Sequence, residues 1–252
     1  MLNGLTTAFR TLSIIPVPGK DADNFSDALY GFVIVGGALG GLVWLEGFFM
    51  RLVIGNQWPE GVAFVLLVTG IFLTRGFHLD GVADFADGFW GGYNRERTLA
   101  IMKDSFLGTF GVIALVLVLL GKWIAMVRII ELSALHWVVC AYLISRTMLV
   151  ELTVSFSYAR QEGTAGAFIK GAKQKHRWFS LGLCAAVLYL LSGLPGLVLL
   201  LFSWGFARIL GWWSQKRVGG ITGDILGTCC ELSETLVLFS AIGYEIFVVT
   251  YL

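Results

Sequence analysis

The sequence predicts an all-α protein, a polytopic membrane bundle of about seven transmembrane helices with an N-terminal interfacial helix. Of its 252 residues, 57% are hydrophobic and only 14% are charged, and the mean hydropathy is +0.79. A soluble domain carries about 25% charged residues, so we expect an integral membrane protein. No repeat, low-complexity tract or linker divides the chain, which predicts a single domain over residues 1–252.

The first predicted element is a short amphipathic helix on the membrane surface. Its apolar residues recur every three or four positions, at Leu2, Leu5, Phe9 and Leu12, and it is expected to end before Pro16. Apolar stretches long enough to span a bilayer follow near residues 29–50, 60–77, 106–127, 133–154, 179–194, 196–213 and 235–252. A Gly-Pro break at residues 192–196 separates the fifth span from the sixth, and one long kinked helix there is the alternative.

Positive charge predicts the orientation. All but four of the 18 lysines and arginines fall in segments that are cytoplasmic if the N-terminus is inside. The exceptions are Arg51, Lys122 and Arg128 in outer loops and Arg146 within a span. Because Lys and Arg concentrate in cytoplasmic loops, we expect a multi-pass protein of a bacterial-type inner (plasma) membrane with a cytoplasmic active face.

Composition also argues against other classes of protein. The net charge of +1 gives no field for nucleic acid, and 3 histidines are too few for a histidine metal cage. The four cysteines form no CxxC pair and are expected to be reduced thiols. We therefore expect no nucleic-acid partner and no disulfide.

The most informative motif is HLDGVADFADG, which contains three carboxylates. Asp80, Asp84 and Asp87 follow the i, i+4, i+7 spacing that places residues on one helix face. Such carboxylates share protons or surround a cation, and hard oxygen ligands suit Mg²⁺. A solvated acidic helix end is the alternative, but the apolar neighbours Val82 and Phe85 favour a half-buried face.

A second polar group follows downstream of this motif. Arg97 and Lys103 are candidate partners for phosphate, and Asp104 is a candidate metal ligand or base. The small residues Gly108 and Gly111 fit either a functional role or tight helix packing.

The sequence GGITGD near the C-terminus predicts an anion site. Consecutive glycines before a helix let backbone N–H groups approach a phosphate. Gly219, Gly220 and Thr222 are therefore candidate phosphate contacts. The alternative is a simple loop in which Asp224 caps the helix. Asp224 and Glu231, separated by the i to i+7 spacing of the first motif, predict a second acidic face opposite the first.

Two further polar features lie near the fourth span. Arg146 and Glu151 are ionisable residues at positions where hydrocarbon is expected. Such residues pair with each other or with a residue of another helix, or Arg146 binds a phosphate oxygen of the substrate. The basic loop KGAKQKHRW, residues 170–178, is expected to contact anionic lipid.

These motifs together resemble the cobalamin synthase family, the adenosylcobinamide-GDP ribazoletransferases, membrane enzymes of cobalamin nucleotide-loop assembly. The matching blocks run in order along nearly the whole chain: FRTLSIIPVP, FHLDGVADFADG, IMKDSFLGTFG, Ser145-Arg146, Tyr158-Ala159-Arg160 and GGITGDILGTCCELSE. Val82 and Phe85 depart from the family pattern, and neither change removes a proposed ligand.

The resemblance implies a Mg²⁺-dependent transferase that joins α-ribazole, or its 5′-phosphate, to adenosylcobinamide-GDP and releases GMP. The metal ligands are then expected among Asp80, Asp84, Asp87, Asp224 and Glu231. Asp84 and Asp104 would be the catalytic carboxylates. Contacts to phosphate and substrate are expected from Arg97, Lys103, Arg146, Gly219, Gly220 and Thr222. The lipid bilayer is also expected as a partner, and the sequence leaves open whether the protein forms a homo-oligomer.

Two rival functions remain at this point. Carboxylates at helix ends also occur in cation transporters, although these place them near the bilayer midplane. A CDP-alcohol-type lipid phosphotransferase also uses several aspartates on a helix face. Its pattern has an arginine where this chain has Asp84, which counts against it.

Overall fold

A computed structural model describes residues 2–55 and 57–251, and within them the chain folds into eleven α-helices. The helices are α1 (Leu2–Leu12), α2 (Leu29–Ile54), α3 (Pro59–Leu73), α4 (Phe77–Gly91), α5 (Arg95–Ile101), α6 (Thr109–Glu131), α7 (His136–Ser155), α8 (Thr164–Lys170), α9 (Gln174–Ser192), α10 (Leu194–Val218) and α11 (Gly223–Tyr251). A 3₁₀ turn, Phe25–Ala28, precedes α2. The predicted all-α fold class is confirmed.

Each predicted apolar stretch falls mostly within helices, although 60–77 crosses the turn between α3 and α4, and Leu252 at the end of the last stretch lies outside the described residues. Helix α1 forms before the two prolines as expected. The predicted break at residues 192–196 is also present. Gly193, with φ of +65°, lies between α9 and α10. This left-handed conformation favours glycine and ends the helix there.

The number of membrane spans differs from the expected seven. In the part of the chain that the structure describes, five helices are long and apolar enough to cross a membrane by themselves, namely α2 with its preceding turn, α6, α7, α10 and α11. Helices α3 and α4 raise the number to six if they form one broken span, because they are bent by 88° relative to each other. Helix α9 does not qualify, since Lys175, His176 and Arg177 occupy its first turn.

Helix α7 forms the centre of the bundle and packs against α2, α11, α9 and α10. Trp137, Ile144 and Met148 on this helix are completely buried. Helix α2 approaches α7 through glycines, since a Cβ atom on Gly36 would lie 2.6 Å from the Tyr142 carbonyl oxygen. Small residues allow this close helix packing inside a membrane.

Contacts between distant segments define one end of the bundle. At this end Arg51, near the end of α2, donates to Ser133 at 3.0 Å. The Trp137 indole at the start of α7 donates to Glu245, near the end of α11, at 2.7 Å. This end therefore collects the segments predicted to be extracytoplasmic.

The polar motifs gather at the opposite end. The Ile14 amide donates to the Leu73 carbonyl at 2.8 Å, which joins the segment after α1 to the end of α3. Arg95, at the start of α5, donates to the carbonyls of Val218 at 2.8 Å and Ala159 at 3.0 Å. The two acidic motifs and the loop after α7 are therefore neighbours in space.

Candidate functional site

Helix α4 presents its three aspartates at increasing depth. Asp80 is exposed, Asp84 is half-buried, and Asp87 is only 8% exposed. Val82 and Phe85 are buried, as predicted for a half-buried face. The motif therefore forms a helix that carries its charge from the surface towards the interior.

Helix α11 packs directly on α4 through glycines. A Cβ atom on Gly81 would lie 2.8 Å from the carbonyl oxygen of Asp224. The Thr228 hydroxyl donates to the Gly81 carbonyl at 3.0 Å. The predicted second acidic face is thus opposite the first, and Asp224 lies beside the middle of α4.

The carboxylates of Asp80, Asp84 and Asp224 form the centre of the candidate site. Asp84 feels the negative charges of Asp224 and Asp80, and more weakly that of Asp87. Within residues 2–55 and 57–251, no three acidic, histidine or cysteine side chains are close enough to hold one metal ion together. The five predicted metal ligands are therefore not gathered into one preformed cage.

Asp87 has a different set of partners from the other two aspartates. Its carboxylate accepts hydrogen bonds from the backbone N–H groups of Gly108 at 2.7 Å and Gly111 at 2.9 Å. These groups open helix α6, whose first N–H groups lack partners within the helix. Asp87 therefore caps α6 and ties it to α4.

Arg160, in the loop between α7 and α8, connects three parts of the site. Its guanidinium donates to Asp224 at 2.6 Å and to the Met102 carbonyl at 3.1 Å. Burial raises the pKa of the neighbouring Tyr158 phenol, and the Arg160 charge opposes this shift. Arg160 thus places the turn after α5 next to the Asp224 carboxylate.

The turn after α5 carries the predicted residues Lys103 and Asp104, and both are exposed. Asp104 accepts a hydrogen bond from the Phe106 N–H at 3.2 Å, which shapes the turn. Arg97 is exposed on α5. These three side chains are exposed to solvent, in the segment around the Met102 carbonyl that Arg160 contacts.

The glycine-rich loop is held by neighbouring backbone. The Ala159 amide donates to the Ile221 carbonyl at 2.9 Å, and the Ile221 amide donates to the Ser157 carbonyl at 2.8 Å. A Cβ atom on Gly220 would lie 2.3 Å from that Ser157 oxygen, so glycine is required there. Gly219 ends α10 in the left-handed conformation, with φ of +81°.

Thr222 immediately precedes helix α11. Its hydroxyl oxygen accepts a hydrogen bond from the Ile225 N–H at 3.3 Å and lies 3.2 Å from the Asp224 carboxylate. Thr222, rather than Asp224, therefore caps the helix. The loop is built for close backbone packing, and its exposed part is Gly219.

Glu231 and Arg146, which the sequence predicted as site residues, belong to a buried ion network. Glu231 and Glu234 on α11 both pair with Lys122 of α6 at 2.5 Å, and Glu234 also pairs with Arg146 of α7. Arg146 is 1% exposed, and the central carbon of its guanidinium group lies 4.5 Å from the centre of the Tyr142 ring. Lys122 was expected in an outer loop, but it lies inside α6 and is 4% exposed.

A large cleft opens beside the acidic residues. Its volume is about 1090 Å³, and Asp80 and Ala83 of α4 form part of its wall. Arg10 and Arg75 also line it, while apolar side chains such as Phe168 supply most of the remaining surface. This volume is at the upper end of small-molecule pockets, which run to about 1000 Å³.

Sequence reasoning gave no role to Arg160 and Lys122. The Tyr-Ala-Arg block contained Arg160, but its partner Asp224 is 64 positions away and only the fold shows the pair. Lys122 had a visible signal, because a single lysine within a long apolar stretch indicates a buried partner.

The apolar helices, with acidic residues of α4 and α11 packed together near a large cleft, define a polytopic helical membrane protein with a candidate active site. Residues 4–242 match the family model described as Cobalamin-5-phosphate synthase. The chain belongs to this family, as the sequence motifs predicted.

Relatives are similar over nearly their whole length. The chain is 44% identical over 245 residues to the adenosylcobinamide-GDP ribazoletransferase of Chlorobaculum parvum, covering 96% of this chain and 95% of the relative. It is 45% identical over 249 residues to that of Chlorobium phaeovibrioides, covering 96% and 97%. No solved structure matches the chain.

Proposed function

We propose that this enzyme transfers α-ribazole, or its 5′-phosphate, to adenosylcobinamide-GDP, the final joining of the cobalamin nucleotide loop. The ribose 3′-hydroxyl oxygen forms a bond to the phosphorus that is attached to cobinamide. The bond from that phosphorus to the bridging oxygen breaks, and GMP leaves with the oxygen. The hydroxyl proton passes to a carboxylate.

The observation that carries the proposal is that one carboxylate of the acidic group reaches the cleft. Asp80 lines the cleft of about 1090 Å³, and the charges of Asp84 and Asp224, on two packed helices, act on one another and on Asp80. A corrinoid joined to a nucleotide is a large ligand, and an open cleft can accept part of it without enclosing the whole molecule. The family membership supplies the reaction class.

The carboxylates fit a Mg²⁺ ion that is completed by substrate. Mg²⁺ usually takes one or two protein carboxylates and fills its other positions with water and phosphate oxygens. Two of the carboxylates Asp80, Asp84 and Asp224 would hold it, and when bound it would offset the negative charge of the pyrophosphate.

The chain's own residues then orient the reactants. Lys103 and Arg97 would contact phosphate oxygens from the solvent side, where charge develops as the bond to GMP breaks. Arg160 holds Asp224 in place and keeps the turn that bears Asp104 against it. Asp84 or Asp104 would take the hydroxyl proton.

The test is an assay of membranes that contain this chain. Adenosylcobinamide-GDP, α-ribazole 5′-phosphate and Mg²⁺ are supplied, and GMP and cobalamin 5′-phosphate are measured. We expect both products to form in equal amounts and only with the divalent ion. Product formation in EDTA would contradict the Mg²⁺ role, and no product with any divalent ion would contradict the reaction.

Matched aspartate variants test the residues. Asp84→Asn and Asp224→Asn remove one charge each at nearly constant size, and each should lower turnover by much more than tenfold, ~1.4 kcal/mol in barrier. Asp23→Asn is the control, since Asp23 is exposed beside α1. Activity of Asp84→Asn within tenfold of the control would remove Asp84 from the essential site.

A further inference from the structure

A second cavity lies between α7, α9 and α10 and does not include the carboxylates of the candidate site. Its volume is about 440 Å³, and its floor is aliphatic, formed by Leu181, Leu197 and Leu200. Trp178 and Trp204 flank it and are 66% and 38% exposed. Tryptophan is enriched at the boundary between hydrocarbon and lipid headgroups, so this cavity has the character of a membrane-facing groove.

One end of the groove carries an excess of positive charge. Glu151 is 1% exposed there, and it pairs with Arg177 at 2.8 Å and Arg208 at 3.5 Å. Two guanidinium groups thus face one carboxylate, and no other acidic residue of the described chain lines the cavity. The Arg208 side chain is 43% exposed, so its outer face is open to a ligand.

This combination selects among the ligands that reach a membrane protein. A zwitterionic lipid would fill the aliphatic floor, but its own ammonium group balances its phosphate, so the extra positive charge of the groove would stay without a counter-charge. A small anion would satisfy the charge but leave the floor empty. An anionic phospholipid does both, because a guanidinium matches phosphate geometry and an acyl chain matches the leucines.

We propose that this groove binds one anionic phospholipid, with the lipid phosphate against Arg208 and Arg177 and an acyl chain along Leu181, Leu197 and Leu200. Basic pockets between transmembrane helices recognise anionic headgroups in this way. Arg177 belongs to the basic segment 170–178 that the sequence predicts to contact anionic lipid, and it lies in the first turn of α9, where it lines the cavity. The proposal is independent of the reaction, because the groove shares no residue with the carboxylate site.

Native mass spectrometry of the purified full-length protein tests the proposal. Phosphatidylglycerol and phosphatidylcholine with identical acyl chains are added separately, and retained lipid is counted. The wild type should retain phosphatidylglycerol preferentially. Arg208→Gln should weaken that binding by about fivefold, the effect of one interfacial arginine, and Arg208→Lys should recover part of it.

The matched control is Arg128→Gln. Arg128 is also half-exposed and pairs with Glu131 at 2.7 Å, but it lies at the other end of the bundle, so its loss should leave lipid binding unchanged. Equal retention of both lipids by the wild type would overturn the proposal, as would undiminished phosphatidylglycerol binding by Arg208→Gln. Displacement of the lipid by millimolar inorganic phosphate would also overturn it, in favour of a simple anion site.

Folding of the variant is controlled separately. Arg177 still pairs with Glu151 in Arg208→Gln, and thermal unfolding in detergent should show a folded protein. If Arg208→Gln aggregates, the proposal is tested instead by measuring how the preference of the wild type for phosphatidylglycerol changes with salt concentration. Binding that depends on Arg208 should weaken at high ionic strength, and a salt-independent preference would contradict the proposal.

Discussion

At the scale of single residues, equal spacing in the sequence does not mean equal surroundings. Asp84 and Asp87 are both acids on one face of α4, and both were predicted to hold metal. Asp84 is next to the opposing Asp224, whereas Asp87 accepts two backbone N–H groups at the start of α6. The difference arises because α6 begins beside the deeper aspartate.

Asp87→Ala should destabilise the protein even without metal. The N–H groups of Gly108 and Gly111 would lose their acceptor, and a lost helix cap costs about 1–2 kcal/mol. Thermal unfolding in detergent with EDTA measures this effect separately from any metal role. Glu162→Ala, at an exposed loop position, is the control, and equal melting of the two variants would contradict the capping role.

At the scale of helices, the candidate site depends on how closely α4 and α11 approach. Gly81 and Gly227 make that approach possible, because a Cβ atom on Gly227 would lie 3.0 Å from the His78 carbonyl oxygen. The sequence indicated two acidic faces, but it did not indicate that glycines bring the two backbones together. Close backbone contact therefore sets the separation of the carboxylates.

Gly81→Ala should move Asp224 away from α4. The added Cβ would lie 2.8 Å from the Asp224 carbonyl oxygen, which is shorter than real contacts allow, so the helices must separate. We expect turnover to fall by more than about tenfold. Gly182→Ala on α9 is the matched control, since no atom lies within 4 Å of its Cβ position.

The control variant should behave in the opposite way. Replacing a glycine inside a helix with alanine stabilises it by up to ~1 kcal/mol when there is space. Normal turnover in both glycine variants would show that the approach of α4 to α11 is not required for activity.

A second contact between helices is the buried ion network. Lys122 of α6 joins Glu231 and Glu234 of α11, and Arg146 of α7 completes it, so two positive charges face two negative ones. Buried charges are retained only when they are paired. The network fixes the positions of three helices, including the one that carries Asp224.

Lys122→Met should be strongly destabilising. It leaves two buried carboxylates with only Arg146 as a partner, and breaking a buried pair from one side costs about 3–5 kcal/mol. The double variant Lys122→Met/Glu231→Gln removes one charge of each sign and should recover part of the loss. Unfolding in detergent measures both, and a double variant no more stable than the single one would contradict charge balance as the cause.

At the scale of the whole molecule, the bundle has two distinct ends. The acidic motifs, the glycine-rich loop and the loop after α7 meet at one end, and the contacts of Arg51 and Glu245 mark the other. Positive charge in the sequence predicts that the first end is cytoplasmic.

Cysteine labelling tests this orientation. All four native cysteines are completely buried, so they give a low background. A membrane-impermeant maleimide applied to intact cells should label Gln57→Cys, and Glu162→Cys should react only after lysis, since both positions are exposed. The reverse pattern would invert the topology and place the carboxylates outside.

The sequence by itself determined the helical membrane fold and the family, and it predicted the candidate carboxylates, because hydropathy and acidic spacing are local properties. It did not determine the number of spans. Helix α9 begins with charged residues, and the bend between α3 and α4 depends on packing.

Only the tertiary structure decided which polar residues meet. Asp224 pairs with Arg160 across 64 positions, while Glu231 pairs with Lys122 across 109, although both acids lie on one helix face. Sequence spacing places side chains on a face, but the neighbouring helix decides whether an acid on that face meets other acids or a buried cation. For this reason Asp224 lies in the candidate site and Glu231 in the buried network.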